Sequence, residues 1–475
     1  MSKSTENRDI EATSASSSQT ADESSVSGKG LSRRTFLGGS AAAGVALGAA
    51  SSGVAWKGAI AQSKRLVVTT MPGPRWEQAL TASAKAYMAA NPDVEIEILV
   101  SGYAEHYQRI GTSLIEDSSD FDAHLFDPAL IGQSYPKLAA LNDLFDADPE
   151  WKDHYLNGVP QAYRGSWDWD GAHYSVVHDA NCMMTWWRTD IFEQLGLPEP
   201  ASFEQILENT LALNENKADS GFMTCAGRAN WFLGMTFTGM MHAFGGRWYE
   251  NDVMDRFGRI DPDEGPGEIL LDSPEVIAAA EMLQKLSQVW NPASLNALEF
   301  ENAEAFKNDI SHQQVMWSGF MILQNPAENP AHHADLVSRD FPVGGSDPVV
   351  GRSGMKGGFG LAIPKACQNI ELMFDFAKFT TSAENAENFV LAGGQPSNVS
   401  LLNSWGEQHQ YQVFKTIAQG IANGHHLSQF PEGPEFFQIL TQHIGDLVTG
   451  AAGPEEACKG MKDDVEVLFQ RSGYI

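Results

Sequence analysis

The chain is poor in basic residues and in cysteine. Of its 475 residues, 31 are Lys or Arg and 61 are Asp or Glu. Proteins that bind nucleic acid or anionic membrane surfaces need a basic face for the phosphates, so this balance argues against both partners. The cysteines lie too far apart for a CxxC-type metal or redox motif, and their disulfide pairing stays open. They are Cys182, Cys225, Cys367 and Cys458.

Common catalytic signatures are also missing. The sequence contains no GxSxG, HExxH, P-loop or complete GxGxxG motif. The histidine pairs His332-His333 and His425-His426 are adjacent rather than helix-spaced, so we expect surface loops and no metal site. We therefore predict no catalytic residue, no cofactor and no metal. Outside an Ala- and Gly-rich segment near the N-terminus, no apolar run is a candidate membrane span.

The first 61 residues have the layout of a twin-arginine export signal. A polar, Ser-rich start leads to Arg33 and Arg34, a weakly apolar Gly/Ala stretch, and the small-x-small site Ala59-Ile60-Ala61. Cleavage there leaves 25 basic and 56 acidic residues, a net charge of −31. The first cysteine lies far beyond this site, so we expect a periplasmic protein without a lipid anchor.

The remaining chain alternates strands and helices. Residues 65–71 and 94–100 are typical of buried strands, and residues 75–92 between them have helical apolar spacing. This β-α-β beginning predicts an α/β fold with a largely parallel sheet. Helices dominate after residue 200, for example 272–290, with Ser273 as its predicted cap. Strand character returns near residue 360, which indicates two lobes joined by several chain crossings, with a cleft between them.

Several segments, in this order, resemble family 1 of the extracellular solute-binding proteins, the maltose-binding-protein-like components of carbohydrate ABC importers. They include "RLVVTTMPGPRWEQALTASAKAYMAANPDVEIEI", "YSVVHDANCMMTWWRTDIFEQLGLPEPASFEQIL", "GGFGLAIPKA" and "GGQPSNVSLLN". The resemblance covers residues 62–475. It implies an α/β, two-lobe periplasmic-binding-protein fold of type II (Venus-flytrap) with multiple hinge crossings. The implied lobes are 62–178 with 357–396, and 179–356 with 397–475.

The same resemblance implies a monomer that captures a small-molecule sugar or polyol between its lobes. It would deliver this ligand to the permease subunits of an ABC transporter in the inner membrane. The alternative from another class is an exported carbohydrate-active enzyme, because so acidic a chain always offers pairs of carboxylates. Two departures from the family pattern are Trp186 and Trp187 in place of tyrosines, and Val177 in place of a proline.

Candidate ligand contacts come first from strand ends, where ligands of parallel α/β sheets gather. Trp76 follows the first strand, and Phe126 and Asp127 end the strand "DAHLFD". Aromatic rings and carboxylates suit the CH faces and hydroxyls of sugars. The alternatives are that Trp76 only begins a helix and that Asp127 only caps one.

Further candidates rest on the resemblance. Asp179 and Asn181 match crossing-segment positions with polar ligand contacts, and Trp231 and Trp317 match aromatic positions near the sugar. Of the adjacent pair Trp186 and Trp187, one ring is expected in the core of the second lobe and the other near the hinge and cleft, with Trp186 the proposed contact. Gly357 and Gly358 would let backbone approach the ligand, although a simple turn is an equal alternative.

Overall fold

The computed structural model describes the residues 64–216, 221–227, 231–253, 256–325, 329–345 and 354–475. The predicted export signal and its cleavage site lie outside these residues. Within them, no helix combines the length and apolar character that crossing a membrane requires.

The strands of the described residues are short, as is common in α/β folds. They are β1 Lys64–Thr70, β2 Val94–Val100, β3 Ala123–Phe126, β4 Asp168–Trp169, β5 Ala172–His173, β6 Ser175–Val177, β7 Asn181–Arg188, β8 Met223–Thr224, β9 Gln313–Trp317, β10 Leu336–Arg339, β11 Lys356–Gly357 and β12 Gly360–Ala362.

Helices connect these strands and fill the C-terminal part. They are α1 Ala79–Ala90, α2 Tyr103–Ile115, α3 Ile131–Ser134, α4 Asn142–Ala147, α5 Pro149–Gly158, α6 Gln161–Arg164, α7 Thr189–Leu195, α8 Phe203–Asn216, α9 Phe232–Ala243, α10 Pro274–Ser287, α11 Glu299–Lys307, α12 Ile370–Thr380, α13 Ala386–Leu391, α14 Val399–Trp405, α15 Val413–Asn423, α16 Gly433–Val448 and α17 Pro454–Ser472.

The first sheet has the strand order β2-β1-β3-β12-β6. Strand β1 runs parallel to β2 and β3, as the β-α-β pattern predicts, and Val68 lies opposite Ile98 on one side and Ala123 on the other. Strand β12 joins from a distant part of the chain and runs antiparallel to both β3 and β6. The sheet is therefore parallel at its N-terminal strands and mixed overall.

The second sheet is built around β7. Its order is β10-β7-β9-β8, and β11 also pairs with β7. Strands β9, β10 and β11 all run antiparallel to β7, and β8 runs parallel to β9. Buried side chains around both sheets form one continuous hydrophobic core, with a small separate cluster beside β7.

Three segments carry the chain between the two sheets, as expected from the return of strand character. They connect β6 to β7, β11 to β12, and α13 to α14. Their backbones are hydrogen bonded side by side: the His178 N–H donates to the Phe359 carbonyl at 2.8 Å, and the Ala180 N–H donates to the Gln395 carbonyl at 3.1 Å.

Local signals explain where several helices begin. The Gln205 N–H donates to Ser202 Oγ at 3.2 Å, and Gln205 Oε1 accepts from the Ala201 N–H at 2.9 Å, so α8 starts with a slightly shifted capping box. Helix α10 begins at Pro274 after an extended Ser273, although the Ser273 side chain makes no capping hydrogen bond. The four cysteines are all buried and free of disulfides.

The paired tryptophans of β7 lie on opposite faces of the second sheet, because successive side chains of a strand alternate. Trp186 is fully buried in the main core. Trp187 packs with Ile191, Phe192 and Leu213 in the small cluster. Both rings therefore serve packing.

Candidate functional site

A cavity with about 40 Å³ of free space lies where the carboxyl ends of the parallel strands of the first sheet meet segments of the second sheet. Trp76 follows β1, Tyr103 begins the helix after β2, and Asp127 follows β3. Neighbouring parallel strands bring these side chains to one edge of the sheet. We call this space the inner cavity; its lining residues are Trp76, Tyr103, Asp127, Asn181, Phe232, Met235, Glu299, Trp317, Gly357, Gly358, Phe359 and Leu427.

The opposite wall comes from the second sheet and its helices. Asn181 begins β7 and Trp317 ends β9, and because these strands are antiparallel, the two residues lie at the same edge. Phe232 and Met235 come from the first turns of α9, a helix whose residues are all buried. Glu299 begins α11. The inner cavity is therefore bounded by residues from both sheets.

Two tryptophans supply flat apolar walls. Trp76 is 6% exposed and packs edge-to-face against Phe359, with ring centroids 5.3 Å apart. Trp317 is 3% exposed, and its ring lies close to the Cα of Gly357, where an added Cβ would come within 3.1 Å of it. Among the described residues, neither indole Nε1 has a hydrogen-bond partner. Each ring therefore offers both a stacking face and a buried donor.

Carboxylates supply the acceptors. Asp127 is nearly fully buried and accepts hydrogen bonds from the Tyr107 hydroxyl and, at 2.9 Å, from the Ala129 N–H. Burial raises the pKa of Asp127, and these hydrogen bonds only partly offset that effect. Burial likewise raises the pKa of Glu299, against the influence of Arg75. Asp127 both caps the following helical turn and lines the cavity, so capping does not remove it from the candidate site.

Arg75 is the cation of the site. Its guanidinium is buried, donates through Nε to Asp179, and holds Nη1 3.8 Å from Glu299 Oε1. It also lies 4.9 Å from the centroid of the Trp76 ring and 5.1 Å from that of Phe359. Burial would lower the pKa of Arg75, but Asp179 and Glu299 outweigh it and raise the pKa, so the side chain stays charged.

The crossing segments hold the polar side chains in place. The Ser318 N–H donates to Asn181 Oδ1 at 3.1 Å, and Gln395 Nε2 donates to the Ser318 carbonyl at 2.6 Å. With Oδ1 held in this way, Asn181 Nδ2 has no hydrogen-bond partner among the described residues and remains a donor at the cavity. Asp179 accepts from Arg75 and from the Phe359 N–H, so it links two crossing segments to the cation.

The structure brings six of the sequence-predicted site residues together around the inner cavity: Trp76, Asp127, Asn181, Trp317, Gly357 and Gly358. Asp179 lies behind the cavity wall, fully buried, where it orients Arg75. Trp231 precedes α9, with its ring centroid 6.2 Å from that of Tyr107, and is a neighbour of the lining residue Phe232. It stands beside the cavity rather than in its wall.

Phe126 and Trp186 differ from their predicted placement. Phe126 is fully buried and packs edge-to-face on Trp167, at 5.2 Å between centroids, because it points away from the edge at which Asp127 lies. Trp186 follows Asn181 by five residues of strand, a rise of roughly 17 Å. It is therefore far along β7 from the cavity, in the core.

Sequence reasoning missed Arg75, Tyr103 and Glu299. The strand-end rule that found Trp76 applies equally to Tyr103, which begins the helix after β2. Arg75 precedes Trp76 in the sequence and also follows β1, so the strand-end rule applies to it as well. Nothing in the stretch around Glu299 marks it, because its place at the cavity depends on how α11 packs.

The structure places the two histidine pairs in different surroundings. His425 and His426 are not surface residues: His426 is 5% exposed, and the His425 ring stacks on His242 with centroids 3.7 Å apart. His332 is partly exposed and shares a possible cation-binding group with Asp190 and Asp335. Arg188 already occupies Asp190 as its ion-pair partner, at 2.6 Å, so we assign no metal there.

Solved structures share this fold. The maltose-bound MalE3 of T. maritima has a TM-score of 0.74 at 19% identity, over 85% of this chain and 99% of its own. A ribitol complex from Agrobacterium radiobacter has a TM-score of 0.72 at 20% identity, over 86% of this chain and 99% of its own. A D-mannitol complex from Agrobacterium vitis has a TM-score of 0.71 at 17% identity, with the same coverage of both chains. The predicted two-lobe α/β fold of type II periplasmic binding proteins is thus confirmed.

Sequence comparisons agree with the structural ones. The mannitol-binding protein of Pseudomonas aeruginosa is 25% identical over 180 residues, which span 37% of this chain and only 40% of that relative. The family model described as "Bacterial extracellular solute-binding protein" matches residues 73–387, about two thirds of the chain. The protein is therefore a member of the bacterial extracellular solute-binding protein family.

Proposed function

We propose that the protein binds a neutral sugar or polyol in the inner cavity and delivers it to the permease of an ABC importer. The observation that carries the proposal is the composition of the cavity wall. Trp76 and Trp317 provide rings and buried N–H donors, and Asp127 and Glu299 provide buried acceptors. Compounds with many hydroxyls present CH faces, donors and acceptors together, so they complement all three features.

Charge favours a neutral ligand. Arg75 lies 4.9 Å from the ring of the lining residue Trp76, and it stands among three carboxylates, Asp127, Asp179 and Glu299. Its charge is already offset, so an additional anion would be repelled in a site with little water to screen it. Sugar acids and sugar phosphates should therefore bind more weakly than the corresponding polyols.

Size favours a small unit in the inner cavity. Its free space in this structure is only about 40 Å³. Two of the relatives and structures above are named for mannitol and one for ribitol, and this supports a linear polyol as the ligand class.

Binding would be coupled to closure of the two lobes. A ligand that contacts both lobes binds the closed form more tightly and so shifts the population toward it. We place the lobe boundaries at the three crossing segments, with 62–178 and 357–396 in one lobe and 179–356 and 397–475 in the other. The hydrogen bonds between these segments support this division.

The direct test is a binding panel with the full chain. We expect mannitol or ribitol to raise the melting temperature and to change Trp fluorescence, with a stability gain of about 2.7 kcal/mol at a hundredfold excess over Kd. Mannonate, the sugar-acid counterpart of mannitol, is the matched anionic control and should give a weaker response. A panel of polyols and sugars without any response would reject the proposal.

The proposal also includes export from the cytoplasm and the absence of catalytic activity. We infer a periplasmic, monomeric binding protein, exported by the twin-arginine pathway without a lipid anchor. Membership in an extracellular family supports the location. Replacing Arg33 and Arg34 by Lys should retain the protein in the cytoplasm. The enzyme alternative predicts turnover of oligosaccharides by the purified chain, whereas we expect none.

A further inference from the structure

A second cavity, with about 220 Å³ of free space, adjoins the inner cavity at Trp76. Gly73, Pro74 and Arg75 line it from the segment after β1, and α11 and Gly319 line it from the second half of the molecule. We call this space the outer cavity. It shares Trp76 and Glu299 with the inner cavity, so one ligand can contact both spaces.

Arg75 lines the outer cavity, and its terminal hydrogen-bond donors have no acceptors within the part of the chain that the structure describes. The residue is 4% exposed, and Asp179 accepts from its Nε. Among the described residues, neither Nη1 nor Nη2 has a hydrogen-bond partner, and Nη1 stands 3.8 Å from Glu299, beyond hydrogen-bond length. A buried donor without an acceptor is costly, so an acceptor brought by a ligand would stabilise these two nitrogens.

The cations at the outer cavity already have carboxylate partners. Glu304 and Lys307 pair with each other at 3.1 Å on α11, and Arg75 is offset by Asp179 and Glu299. Oxygen atoms of a neutral hydroxyl-bearing group can accept from Nη1 and Nη2 without adding charge. The Trp76 ring, which lies between the two cavities, offers such a group an apolar surface.

We propose that the outer cavity is a second ligand subsite, in which Arg75 binds a glycosyl unit attached to a polyol held in the inner cavity. The preferred ligand is then a glycosylated polyol rather than a free one. This inference rests on the proposed function, since it places the polyol end of the ligand in the inner cavity.

Sorbitol and maltitol form a matched pair of probes, because maltitol is sorbitol with one added glucosyl unit. By isothermal titration of the full chain, we expect maltitol to bind at least ten-fold more tightly than sorbitol. Ala303→Phe, which fills the outer cavity from α11, should abolish this difference and leave sorbitol affinity unchanged. Ala451→Phe, in an exposed turn, is the control and should change neither affinity.

The outcomes separate the two proposals. Equal affinity for sorbitol and maltitol overturns the second subsite but leaves the proposed function standing, whereas failure of every polyol and sugar overturns the proposed function. A preference for maltitol that survives Ala303→Phe also overturns the subsite. If Ala303→Phe does not fold, Gly319→Ala serves instead, since its methyl group would lie 3.3 Å from Arg75 Nη1 and obstruct the same space.

Discussion

At the scale of single residues, the site depends on buried polar atoms that the protein itself leaves without partners. The indole nitrogens of Trp76 and Trp317 belong to this set among the described residues, as do the terminal nitrogens of Arg75. Each such donor loses its hydration on folding, and on the proposed function it regains a partner when a ligand enters. The cost of desolvating these donors is therefore already met during folding and does not have to be met again when a ligand binds.

Removing one donor tests this account. Trp317→Phe keeps an aromatic ring but deletes Nε1–H, so we expect polyol affinity to fall by about 1 kcal/mol, roughly five-fold. Trp248 is the matched control, because its Nε1 donates to Thr238 at 3.3 Å within the core. Trp248→Phe should lower stability to urea and leave Kd unchanged. Unchanged affinity in Trp317→Phe would show that the indole nitrogen does not contact the ligand.

The residues that sequence could identify are those whose position follows from strand order. Trp76 and Asp127 follow parallel strands, and this alone places them at the edge where the cavity lies. Glu299 could not be found in this way, because its position depends on the packing of a helix far along the chain. Phe126 shows the limit of the rule: one residue before Asp127, it points the opposite way into the core.

At the scale of elements, apolar spacing predicts the strands and helices, but it does not predict how far a residue of a strand lies from the cavity. Strand β2 has the predicted bounds, and α1 ends one residue before the predicted stop at Asn91. Of Trp186 and Trp187, one ring lies in the core as expected, but neither lies at the cavity. Their distance from the cavity depends on where β7 begins relative to the crossing segment, and no periodicity in the sequence gives that point.

The segment between β11 and β12 has a strict steric requirement at Gly358. Its φ is +130°, and an added Cβ would come 2.5 Å from the Tyr163 ring and 2.8 Å from the Asp179 carbonyl oxygen. We expect Gly358→Ala to lower the free energy of unfolding by about 3 kcal/mol, from backbone strain and contact together. Equilibrium urea denaturation measures this loss.

Gly171 separates the two contributions. It also has a positive φ, +77°, but no atom lies within 4 Å of its hypothetical Cβ. Gly171→Ala should therefore cost only about 1 kcal/mol, the conformational part. Equal losses for Gly171→Ala and Gly358→Ala would contradict the steric argument for the crossing segment.

At the scale of the whole molecule, stability depends on keeping several histidines neutral inside the core. Burial lowers the pKa of His106 to about 4 and of His124 to about 3. His178, on the first crossing segment, has its pKa lowered to about 3 by burial and, secondarily, by Arg75. These groups titrate near 6.5 when the chain is unfolded, so the unfolded state binds more protons between that pH and the folded values.

The buried histidines should therefore make the protein less stable as the pH falls below neutral. As the pH falls from 7.5 to 5.5, each of these histidines removes roughly 1.4 kcal/mol of stability, since its unfolded form becomes protonated and its folded form does not. The raised pKa values of Asp127 and Glu299 act in the opposite direction. The measured change of stability with pH is therefore smaller than the contribution of the histidines alone. Urea denaturation of His178→Leu measures the contribution of one histidine. The stability that this variant loses between pH 7.5 and pH 5.5 should be about 1.4 kcal/mol less than the stability that the unmodified chain loses. An unchanged pH dependence of stability in His178→Leu would mean that His178 is not a buried neutral group in the folded protein.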